Sequence, residues 1–216
     1  MRIPRFMGIL ALASLMGLGG CQAVAYIAAQ FAPPQKVKAV KELPKDKVIL
    51  VYIESQYPLS YEPMKDLLTE ELNKELLEHK IAGAVVPRDR LLDMVANIND
   101  PEVSKQEIGQ KLHADLILCV YIPPEPEGFS VRESEDSPLW QGRLKVNLKV
   151  MDVGNVKKLW PVDQIDYPLP VVELPEADNS SADYGRVVAK ALAIKTARRI
   201  AKLFYEHEIP NMGPED

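Results

Sequence analysis

Hydrophobic and polar positions change period several times along the chain, and each change marks a predicted element. Val48-Ile49-Leu50-Val51-Tyr52-Ile53 is a continuous β-branched-rich run between charged residues, which predicts a buried strand. Met64, Leu67, Leu68, Leu72, Leu76 and Leu77 then recur at helical spacing, with Lys65, Glu70, Lys74 and Glu78 on the other face. Ser60 and Glu62-Pro63 mark the start of that helix, since proline and acids both suit a first turn. Ala84-Val85-Val86 predicts a short strand, ended by Pro87. Arg88 to Ile98 predicts a second helix with Leu91, Leu92, Val95 and Ile98 as its buried stripe, stopped by Asn99-Asp100-Pro101. Ser104 and Glu107 have capping-box spacing and open a third, shorter helix carrying Ile108 and Leu112. Asp115 to Ile122 is almost wholly apolar, so it is expected at the centre of the sheet.

Pro123 to Pro138 holds five acids among its prolines and reads as an exposed loop. The chain then alternates, with Leu144, Val146, Leu148 and Val150 on one face and Arg143, Lys145, Asn147 and Lys149 on the other. That period of two predicts one half-exposed antiparallel strand. Asp152-Val153-Gly154-Asn155 supplies a turn, and Val156 to Trp160 returns as the second strand of a hairpin. Pro161 to Ser181 is proline-rich and poorly periodic. From Asp183 a last helix can bury Val187, Val188, Ala191, Leu192, Ile194, Ala201, Leu203 and Phe204. The predicted order is β-α-β-α-α-β-β-β-α: an α/β fold, a mixed sheet with helices packed on it, in a single domain spanning 48–208 with a tail at 209–216.

The N-terminus has a different character. Arg2 and Arg5 precede an apolar run from Phe6 to Leu18, the order of a secretory signal. Leu18-Gly19-Gly20-Cys21 follows and resembles a lipobox, in which small residues enter the signal peptidase and the cysteine thiol accepts the lipid. The expectation is a signal peptide at 1–20, and a lipidated N-terminus and tether at 21–47, the tether contributing at most one short strand. Apolar character continues from Ala23 to Phe31, so an uncleaved membrane-spanning helix is the competing reading, because about 20 apolar residues cross a bilayer. Gly17, Gly19 and Gly20 speak against it, each costing a helix about 1 kcal/mol relative to alanine. Several acyl chains hold a protein to a membrane where one does not. Gln22 stands where aspartate would resemble an inner-membrane retention signal, which directs the expectation to the outer membrane, facing the periplasm.

Three local segments carry a further resemblance: Val85-Val86-Pro87-Arg88-Asp89-Arg90-Leu91-Leu92, His113-Ala114-Asp115-Leu116-Ile117-Leu118, and the hairpin from Lys145 to Trp160. In this order they resemble the periplasmic α/β domain of curli-secretion-channel-type lipoproteins and the N-terminal domain of the Tol-Pal translocation protein. The resemblance implies a tethered periplasmic protein that assembles or docks. Channel-forming members insert long amphipathic hairpins, which need strands of about 9 to 11 residues. Here the corresponding segments, Pro123 to Pro138 and Pro161 to Ser181, hold prolines and acids, so no pore is expected from this chain alone.

Candidate chemistry is sparse. Removing residues 1–20 takes Arg2 and Arg5 and no acid, leaving 24 basic residues against 31 acidic ones; no basic cluster suits nucleic acid. Cys119 is the only cysteine besides Cys21, so no intramolecular disulfide framework is expected, and its apolar surroundings predict a small buried hydrophobe. His79, His113 and His207 lack metal-ligand spacing, no phosphate loop or nucleophile elbow occurs, and no cofactor or metal is expected. Trp140 and Trp160 flank the hairpin; a cross-strand packing pair is the first reading and a partner-docking platform the second. Tyr167 to Pro175 reads as a stiff connection, with docking in an extended form as the alternative. The function expected is noncatalytic: docking, assembly or secretion support through a protein partner or self-association. Binding of an envelope ligand or polymer is the alternative, and a divergent enzyme the third reading.

Overall fold

The computed structural model describes residues 35–59, 61–96, 104–125, 127–133, 140–177 and 184–209, with backbone alone at 131–133, 140–141, 175–177 and 184–185. Residues 39–205 make one compact unit; the described residues 35–38 and 206–209 belong to a second, smaller one.

The larger unit is built on a six-stranded mixed sheet. Strand β2 (Val48–Ser55) lies parallel to β3 (Ala84–Val85) on one side and to β4 (Leu116–Ile122) on the other. Beyond β4 the direction reverses: β7 (Asn147–Asp152) pairs antiparallel with β4, then with β8 (Lys157–Trp160) and β9 (Tyr167–Pro168). As its apolar sequence predicts, β4 is central. A second sheet, in the order β10-β6-β5, is wholly antiparallel, with β5 at Phe129–Glu133, β6 at Trp140–Leu144 and β10 at Val172–Ala177.

Helices cover both faces of the large sheet. Helix α1 (Pro63–Glu78) and helix α4 (Tyr184–Lys202) contribute Met64, Leu68, Leu72, Leu76, Leu192, Ala193, Ala197 and Ile200 to one core, where they meet Ile49, Val51, Leu118, Val120, Leu148 and Val150. On the opposite face α2 (Arg88–Ala96) and α3 (Lys105–Lys111) lie over Leu50, Ile117 and Cys119 through Leu91, Met94 and Ile108. Strand alternation sends successive residues of β2 and β4 to these two cores. The Ser104–Glu107 capping box is formed: the Glu107 amide donates to Ser104 Oγ at 3.2 Å and the Ser104 amide to Glu107 Oε2 at 3.0 Å.

Several expectations are corrected. The alternating run around residues 140–150 is two strands rather than one: the chain leaves the small sheet after Leu144 and enters the large one at Asn147. Leu144, Val146, Leu148 and Val150 are nonetheless all buried. The acidic segment contains β5, whose Phe129 is fully buried, and the proline-rich segment contains β10, where Pro175 falls on a sheet edge. At five and six residues, both strands are shorter than a membrane-spanning hairpin strand. Helix stripes are rotated from those expected. Leu77, Leu92, Val95 and Val187 are exposed, whereas Glu75 and Ala189 are buried. Predicted stripe residue Ile98 lies outside the described residues.

The smaller unit holds a two-stranded ribbon of β1 (Gln35–Val37) and β11 (His207–Ile209), paired antiparallel with Gln35 opposite Ile209. Lys36 and Glu206 add an ion pair at 3.2 Å. The one short strand expected between residues 21 and 47 is thus present at Gln35–Val37, whereas its C-terminal partner was not anticipated.

Candidate docking surface

Of the residues singled out in the sequence, Leu18, Gly19, Gly20 and Cys21 lie outside the described residues. The two tryptophans are not cross-strand partners. Trp140 stands in the small sheet opposite Glu133 and Ala177, while Trp160 stands in the large one opposite Val150. Trp160 is only 7% exposed, tilted against Tyr167 at 4.7 Å and edge-on to Phe204 at 5.8 Å. Its ring is spent in the core and offers no platform to a partner. The Trp140 side chain lies outside the described residues.

Cys119 is buried, with Sγ 3.8 Å from the Met151 sulfur, and burial pushes its thiol up to about 11. A thiol held neutral in this way is a packing group rather than a nucleophile. The histidines stand at three separate places: the C-cap of α1, the turn after α3 and strand β11. At the first of them His79 meets Glu75, the buried carboxylate of α1, at 3.2 Å. The other Glu75 oxygen faces Arg198 Nε of α4 at 3.4 Å. Tyr205 stacks on His79 at 4.1 Å between ring centroids, and burial, then Glu75, hold its phenol above the ordinary value. This group clasps the ends of α1 and α4. No group of three or more possible metal ligands occurs among the described residues.

One edge of the large sheet is β8. It ends the order β3-β2-β4-β7-β8, and among the described residues its backbone hydrogen-bonds only to β7. Around it stand Val156, Val162 and Ile165, which at 60%, 77% and 83% are the three most exposed large hydrophobics among the described residues. An open groove of about 500 Å3 runs between the hairpin turn and the following loop, lined by Asp152, Asn155, Lys157, Lys158, Leu159 and Val162. Asp152 is turned into the hairpin, where the Asn155 backbone amide donates to it at 2.9 Å and the side-chain amide at 2.9 Å. These bonds lower its carboxyl below the ordinary range. Sequence reading found this turn but not its surface, because exposure of Val162 and Ile165 depends on where the loop lies.

No family model matches the chain, and no curated protein matches it. Among solved structures it is similar to lipoprotein GNA1162 from Neisseria meningitidis, at 14% identity over 70% of this chain and 98% of that one, with a TM-score of 0.43. The PelC dodecamer from Paraburkholderia phytofirmans is similar at 15% identity over 78% and 96%, with a TM-score of 0.42. A minor lipoprotein from Acinetobacter baumannii is similar at 12% identity over 72% and 92%, with a TM-score of 0.36.

Proposed function

We propose that this chain is a noncatalytic lipoprotein of the bacterial envelope, anchored by lipid on Cys21 and using its α/β unit to dock a protein partner. The observation that carries the reading is Leu18-Gly19-Gly20-Cys21 placed directly behind a basic n-region and an apolar h-region. Gln22 directs the proposal to the outer membrane, with the domain in the periplasm. Val156, Val162 and Ile165, exposed in the hairpin turn and in the loop after β8, support docking. The local resemblance to secretion-channel and Tol-Pal domains suggests assembly or secretion support as the setting.

Mass spectrometry of the mature N-terminus, combined with membrane fractionation of the native chain and Cys21→Ser, tests the anchor. The expected native product begins at Cys21 with acyl mass added, and Cys21→Ser loses both the cleavage and the modification. A native chain retaining Met1 overturns the lipoprotein reading and favours a spanning anchor. Recovery from solubilised membranes as a free monomer only, at every concentration, overturns the docking role.

A further inference from the structure

We infer that the solvent face of helix α4 lies on anionic phospholipid head groups, at the membrane surface to which the chain is tethered. The inference rests on the anchor proposed above and adds a second, electrostatic contact to it.

Charge is spread unevenly along this protein. The chain holds 31 acidic residues against 26 basic ones, yet the 19 residues of α4 include no acid. Its cations are Arg186, Lys190, Lys195, Arg198, Arg199 and Lys202. Solvation alone does not ask for that bias: α1 mixes its signs, with Lys74 beside Glu78 at 3.9 Å. The helix dipole favours Arg199 and Lys202 in the last turn, but it disfavours Arg186 in the first.

Helical geometry gathers these cations on one side. At about 3.6 residues per turn, Val187, Ala191 and Ile194 run along the middle of the outward face. Arg186 and Lys190 flank that row on one side, Lys195 and Lys202 on the other, while Leu192, Ala193, Ala197 and Ile200 face the core. Val187 is 58% exposed. Cations flanking a short aliphatic row suit a helix lying on a bilayer, where lysine stems pack down and their charged ends reach the phosphates.

Little of the protein neutralises this face. Arg199 Nη1 donates to the Val171 carbonyl at 3.2 Å, and Arg198 Nε faces the buried Glu75 at 3.4 Å. Glu71 and Glu78 lie one turn to either side of Glu75 on α1; Glu78 is held by Lys74, and Glu173 of β10 by Arg143 at 3.8 Å. Lys190, Lys195 and Lys202 have no ion pair among the described residues, so three lysines stand against one uncommitted acid, Glu71. At about 1.5 Å per residue α4 is about 28 Å long, and its cations span several head groups rather than one pocketed phosphate. Lipid on Cys21 keeps such a surface at high local concentration, which favours it over a soluble acidic protein.

Hydroxyl-radical footprinting of the full-length chain tests the inference, in vesicles of phosphatidylcholine alone or with about one-quarter phosphatidylglycerol. Phosphatidylglycerol is expected to lower oxidation of Val187 and Ile194 about threefold or more. Exposed Leu92 of α2, on the opposite face of the sheet, is expected to be unchanged. About 0.5 M salt and K190E/K195E/K202E each remove the difference. Circular dichroism confirms that the variant folds. Equal oxidation in the two lipids overturns the inference, and so does a difference that survives the triple substitution. Protection in phosphatidylcholine alone that grows with protein per vesicle overturns it in favour of a second copy. Equal protection by polyglutamate added to phosphatidylcholine vesicles overturns it in favour of an acidic polypeptide. Intact mass of the same sample reads the acyl groups on Cys21. A chain that carries them without a head-group effect overturns the inference and leaves the anchor. A chain that lacks them and is still protected by phosphatidylglycerol overturns the anchor and supports the inference.

Discussion

Cys119 shows how a single buried atom ties stability to pH. Its thiol is held neutral up to about 11 against an ordinary 9, so above pH 9 the unfolded chain ionises while the folded one does not. The unfolded state then binds fewer protons, and stability falls as pH rises from 9 through 11. Cys119→Ala is expected to lose less stability on going from pH 8 to about 10.5, by something of the order of 2 kcal/mol, as read by urea denaturation at both pH values. Val156 makes the opposite kind of case. Its positive φ and exposed side chain predict that Val156→Asn raises stability by roughly 0.5 to 1 kcal/mol in thermal melts.

At the scale of elements, α1 and α4 are joined by one apolar seam and one buried carboxylate. Leu72 is fully buried, so Leu72→Ala is expected to cost about 2 to 5 kcal/mol in denaturant unfolding. Glu75 behaves differently, because removing its partners leaves a charge in the core. His79→Ala combined with Arg198→Ala is expected to destabilise more than Glu75→Leu, which discards the charge and keeps the volume. Stability measurements on the variants check this order; the reverse order would show that solvent already satisfies Glu75. Helix α4 also approaches β6 at Gly142, where an added Cβ would collide with Val188 Cγ1 and stand 2.9 Å from Leu192 Cδ1. Gly142→Ala is therefore expected to cost about 1 to 3 kcal/mol, with part recovered in the double variant carrying Val188→Ala.

At the scale of the whole molecule, the buried apolar core of the described residues lies between Leu43 and Phe204, outside the proposed lipidation motif. Cys21→Ser is therefore expected to lack the acyl mass yet keep its melting temperature in detergent. Matched thermal scans of the two forms decide this.

Sequence alone determined what depends on near neighbours along the chain. The capping box at Ser104 and the central strand at β4 are read directly. So too is the inward set Leu144, Val146, Leu148 and Val150, because period and capping arise within a few residues. Only the tertiary structure decided that β6 and β7 belong to different sheets, that Phe129 and Val172 lie in strands, and that Trp160 is buried while Val162 and Ile165 are not. Those outcomes follow from pairing between segments far apart in sequence. The same alternation serves either sheet, and a valine's exposure is fixed by whichever element happens to cover it.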